Sequence, residues 1–62
     1  IMKLFRVSII CKIHEWDRPM KLHWAIIGDN PENAIQNIKD KHDMTDVIII
    51  DEYAIEVEYI SL

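Results

Sequence analysis

KLFRVSIICKIHE, residues Lys3 to Glu15, is the stretch whose reading decides the fold. Phe5, Val7, Ile9, Cys11 and Ile13 hold alternate positions, and Arg6, Ser8, Lys12 and His14 fall between them. Successive side chains of a strand point to opposite faces, so this period of two predicts a half-buried strand. Asp17, Arg18 and Pro19 interrupt the pattern, after which Leu22, Trp24 and Ile26 alternate with Lys21, His23, Ala25 and Ile27. Two alternating runs around turn residues predict a hairpin with its loop near residues 16 to 20. Matching inner to inner residues sets Ile13 opposite Trp24, Cys11 opposite Ile26 and His14 opposite His23. A slip of one residue would invert every side chain, so this register carries the assignment of faces.

Working outward from the hairpin, Gly28, Asp29 and Asn30 end the second strand. Asn30 followed by Pro31 is a helix cap followed by the residue best suited to the first helical position, and Glu32 complements the helix dipole. Ala34, Ile35 and Ile38 recur at helical spacing, and Lys39, Lys41 and His42 supply the favourable charge at the other end, so a helix is predicted over Pro31 to His42. Asp43 to Asp46 reads as a loop with Met44 turned inward. Val47 to Ile50 and Ala54 to Ile60 are strand-like, as one kinked strand or two short ones. In the second piece Ile55, Val57 and Tyr59 are read as one face, and Ala54, Glu56, Glu58 and Ile60 as the other.

The predicted fold is α+β: a small, mainly antiparallel sheet in β-β-α-β(-β) order with one helix packed on one face. One helix leaves the second face uncovered. That face is expected to display Leu4, Ile10, Ala25, Ile27, one of Ile48 or Ile50, and Ile60, beside Arg6, Lys12, His14, His23, Glu56 and Glu58. Adjoining exposed aliphatic residues mark an interface.

Length and composition bound the functions available. The 62 residues are read as a single domain, 1–62, and a chain of this size buries only about 60% of its unfolded surface. The single cysteine, Cys11, excludes an internal disulfide and points to a reducing, cytoplasmic setting. No stretch approaches the roughly 20 apolar residues a membrane helix needs, and no signal-peptide pattern is read. Ile1 before Met2 is set outside the fold argument. Charge is segregated: residues 1–28 hold five cations against two acids, giving +3, while residues 29–62 hold two against nine, giving −7. An acidic half favours cationic partners and repels nucleic acid backbones.

Candidate chemistry is thin. His14 and His23, paired across the predicted hairpin, are two ligands where zinc wants three or four, and Cys11 alternates to the other face, so no metal and no cofactor are expected. An inward Cys11 is also a poor nucleophile, since burial disfavours its thiolate. Ser8 and Ser61 have no adjacent base in this register, and the lone Gly28 excludes a glycine-rich phosphate loop. Glu56 and Glu58 stand roughly 6.6 Å apart along a strand, near the spacing of successive DNA phosphates, and with Asp51 and Glu52 they suggest mimicry of a nucleic acid. Trp16, beside Arg18 at the hairpin tip, is of the residue type enriched at binding hot spots.

Lys3-Leu4-Phe5-Arg6-Val7, then Asp29-Asn30-Pro31-Glu32-Asn33-Ala34-Ile35, then Val47-Ile48-Ile49-Ile50-Asp51 with Glu56-Val57-Glu58, resemble the pattern of small phage and mobile-element ββαβ proteins, the DpnD/PcfM-like group. The resemblance implies a hairpin, a capped helix and an acidic closing strand, and it brings no functional residues with it.

The sequence therefore predicts a noncatalytic protein-interaction module, an inhibitor or adaptor, with Asp51, Glu52, Glu56, Glu58, Trp16, Ile10 and Ile27 meeting a protein partner. A nucleic-acid-binding protein fits as that partner. One alternative is a self-assembling structural subunit, in which the +3 half of one copy meets the −7 half of the next, or two uncovered sheet faces or edge strands pair. The other is a nucleic-acid binder using Lys3, Arg6, Lys12, Arg18 and Lys21; net −4 and the lack of a stacking row make direct nucleic acid the weaker expectation.

Overall fold

The structure is a computed structural model and describes residues 2–57; the expected roles of Glu58 and Ile60 lie outside the described residues. Strand β1 (Lys3–Lys12) and strand β2 (Met20–Gly28) are followed by helix α1 (Pro31–His42) and strand β3 (Ile48–Glu56). The sheet order is β2-β1-β3, with both pairings antiparallel, so the alternating stretch that opens the chain becomes the middle strand. Its odd residues Phe5, Val7, Ile9 and Cys11 are buried, and Ala34 and Ile38 of α1 complete the core above them.

Helix α1 has the predicted bounds because its ends are chemically specified. Asn30 has extended backbone angles, and its side-chain Oδ1 accepts a hydrogen bond from Asn33 N–H at 2.8 Å, satisfying an orphan donor of the first turn. At the other end Asp43 adopts the left-handed conformation, with φ 44°, and its Oδ1 accepts a 2.9 Å bond from the Thr45 hydroxyl. The loop beyond it turns Met44 toward the core. Gly28 joins β2 to the helix start, where an added Cβ would lie 3.0 Å from Asn33 Oδ1 and 3.1 Å from the Ala34 backbone nitrogen. Only a missing side chain allows so close an approach.

Two expectations are corrected. Cys11 pairs with Met20 rather than Ile26, Val7 with Trp24, and Ser8 with His23, a displacement of six residues along β2. The cause is local: Asp17 Oδ2 accepts from His14 N–H at 2.9 Å and Asp17 N–H donates to the His14 carbonyl at 3.0 Å, so the turn closes within the loop instead of between the strands. β1 therefore stops at Lys12, and Ile13, expected inside, is 53% exposed. Because six is even, the faces of both strands survive the displacement.

Of the two readings left open, one kinked strand or two short ones, the described residues form one strand, β3, and the second correction concerns its faces. Ile10 pairs with Asp51 and Cys11 with Ile49, so Ile50 is the extra residue of a bulge. Beyond the bulge Glu52, Ala54 and Glu56 lie opposite Ile9, Val7 and Phe5 and share the helix-covered face, while Asp51, Tyr53 and Ile55 share the open one. Glu56 had been expected on the open face, and Ile55 on the inner one.

Candidate interaction surface

The open face is a grid set by the two registers. Row by row from one end it carries Ile27 and Leu4; Ala25, Arg6 and Ile55; His23, Ser8 and Tyr53; Lys21, Ile10 and Asp51; then Lys12 and Ile48. Ile27 and Ile55 are 54% and 58% exposed, and Leu4, Ile10 and Ile48 are half-buried. Aliphatic side chains at this exposure, on a face with no covering helix, form an apolar surface open to solvent.

Across its middle runs a polar row. Ser8, only 3% exposed, sits 2.9 Å by its Oγ from His23 Nδ1. That contact leaves the other imidazole nitrogen, Nε2, on the side of the ring away from Ser8. Across the central strand, Lys21 Nζ stands 5.5 Å from the centre of the Tyr53 ring. The Lys21 ammonium, then the Ser8 hydroxyl, both beside the phenol, together with the charge of Arg6, hold Tyr53 below its ordinary pKa of 10.0 against the opposing effect of desolvation. The face is therefore electropositive: Arg6 and Lys21 flank the row from opposite sides, and Asp51 is the one carboxylate on the grid among the described residues.

The pairing of Ser8 with His23 corrects the expectation that neither serine has an adjacent base. The displaced register hid it, because His23 was expected opposite His14. Geometry nonetheless gives the pair little reach toward a substrate: the hydroxyl is buried and the face around it is a sheet without walls. A shallow depression against Arg6, His23 and Ala25 adjoins it.

The residues expected to meet a partner do not assemble. Glu52 lies under the helix, with Lys39 Nζ 2.6 Å from its Oε2, an oxygen withdrawn from solvent. Glu56 is paired with Lys3 at 3.1 Å. Asp51 is on the other face, its Oδ1 accepting from the Glu52 N–H at 2.9 Å. No evenly spaced row of free carboxylates results among the described residues. Ile10 and Ile27 do lie on the open face, as expected, although three rows apart, on β1 and β2. Trp16 is 81% exposed at the hairpin tip and stacks on His14, with ring centroids 4.8 Å apart.

Cys11 is a buried free thiol. Among the described residues no three His, Cys, Asp or Glu side chains gather at ligand distances, and no helix is long and apolar enough to cross a membrane. No protein-family model, curated protein or solved structure matches the chain.

Proposed function

We propose that the chain is a noncatalytic cytoplasmic interaction module, an inhibitor or adaptor of the kind encoded by phages and mobile elements, whose open sheet face receives a protein surface of apolar side chains and carboxylates. The observation that carries this reading is the exposure of Ile27 and Ile55 on the uncovered face, with Arg6 and Lys21 standing among the aliphatic residues. Apolar area contributes affinity, and the cations select an acidic partner and speed its approach. The acidic strand loses the central part expected of it, since Glu52 and Glu56 each already hold a lysine.

Arg6, Lys12, Lys21, Tyr53 and His23 on one face also suit a single nucleic acid strand, but branched aliphatics surround the one tyrosine where stacking would need further aromatic rings. A photo-crosslinking residue at position 27 or 55, compared with one at Gln36 on the helix, tests the proposal in cells. Protein adducts from positions 27 and 55, absent from 36 and lost with R6E/K21E, are expected. Adducts that form equally well from 36, or that contain nucleic acid, would overturn it.

A further inference from the structure

The two free borders of the sheet are chemically different. The Leu4 carbonyl accepts a 2.9 Å bond from Val57 N–H, so the backbone groups of Leu4 turn toward β3. Bonded and non-bonded pairs alternate along an antiparallel ladder. Phe5, Val7 and Ile9 therefore turn toward β2, where they meet Ile26, Trp24 and Leu22. The intervening residues Lys21, His23, Ala25 and Ile27 must direct their N–H and C=O groups outward. Ile27 bears this out, since its carbonyl accepts from the Asn37 side chain of α1 at 3.4 Å.

By the same alternation Glu52, Ala54 and Glu56 face outward on β3. That border is blunted: Asp51 takes the Glu52 N–H, two carboxylates line the edge, and the bulge at Ile50 interrupts it. Charges and bulges are the ordinary means of keeping an edge unpaired. β2 has neither bulge nor proline from Met20 to Gly28, and its single charged residue is Lys21.

We propose that the β2 edge is the interface of a two-fold dimer of this chain. The second copy adds its β2 antiparallel, with His23 meeting its own counterpart on the axis and Lys21 meeting Ala25, to give a six-stranded sheet ordered β3-β1-β2-β2-β1-β3. In this register every outward group of Lys21, His23 and Ala25 finds a partner, and pairing stops where Asn37 already satisfies Ile27. On the helix side Leu22 falls beside the second copy's Trp24, and Met20, 46% exposed in one copy, falls beside its Ile26. A second copy is the fitting occupant because its edge is apolar where this one is apolar and sets no charge against Lys21. The inference stands apart from the open-face reading: Arg6 lies on the central strand, so R6E alone addresses that reading without touching this border.

Sedimentation equilibrium of the full chain tests it. A concentration-dependent dimer is expected. Ala25→Pro removes an outward N–H without costing the β1–β2 ladder a bond, and it should weaken association at least about tenfold while the Trp24 emission of the fold persists. Ala54→Pro, the same change on the β3 border, should leave the dimer intact. If Ala25→Pro disturbs the fold, a mixed sample of isotope-labelled and unlabelled wild-type chain decides the matter, through an intermolecular contact between the α-protons of Leu22 and Trp24. A monomer at every concentration, equal weakening by both prolines, or a dimer lacking that contact would overturn the proposal.

Discussion

Lys21 and Tyr53 belong to the two outer strands and meet across β1, ammonium over ring at 5.5 Å. Lys21 is the largest cause of the lowered phenol pKa, so Lys21→Met should move the Tyr53 titration upward. Tyrosinate absorbance in a Tyr59→Phe background would record the change. A folded-state pKa below the unfolded one means that the unfolded chain binds more protons in that interval, so stability rises with pH there. The Tyr53 contribution is complete above the ordinary tyrosine value of about 10 and is lost as pH falls through the lowered folded-state value. Urea midpoints measured across that alkaline interval should lose this dependence in Lys21→Met. Neither this contact nor the bond from Ser8 to His23 was legible in the sequence. Both depend on which residues stand side by side, and alternation specifies a face without specifying a neighbour. Trp16 was legible in part: its position at the tip was plain from the punctuation around it, while its partner, His14, depended on the loop.

Helix α1 was readable to its ends because its stop and start signals are local. Asn30, Pro31, Glu32 and the cationic last turn act within a few residues of one another. Asn30→Ala should therefore lower stability by about 1 kcal/mol, measured by urea denaturation, through loss of the bond to Asn33 N–H. Gly28→Ala should cost about 1 to 3 kcal/mol in the same assay, because the new methyl group meets the Ala34 backbone, which cannot yield without shifting the helix. The hairpin was readable as an element but not in its register, since side-chain and backbone bonds inside the loop between His14 and Asp17 decide where the ladder ends. β3 resisted reading for another reason. With aliphatic residues at Ile48, Ile49, Ile50, Ala54 and Ile55, apolar side chains occur in both phases, and one bulged residue chooses between them.

At the scale of the molecule, a charge division along the chain becomes a division in space. Arg6 and Lys21 stand on the open side of the sheet, while Glu52 and Glu56 stay on the helix side and are consumed by Lys39 and Lys3. The order α+β was legible because hydrophobic period and caps agree at every level; the partner-facing acids were not, because ion pairing is a property of the folded surface. The core is small: among the described residues six apolar side chains are buried. A chain of 62 residues has roughly 3 to 9 kcal/mol of stability, and truncating a buried isoleucine costs about 2 to 5. Ile9→Ala should accordingly remove a large share of that stability, measured as a lowered urea midpoint.

Because β1 is laddered on both sides, the amides of Phe5, Val7 and Ile9 can meet solvent deuterium only when the sheet comes apart. Their exchange rates read out the stability of the whole fold. The outward amides of His23 and Ala25 need no such opening, so their isotopic uptake reports whether anything is seated against the border of β2.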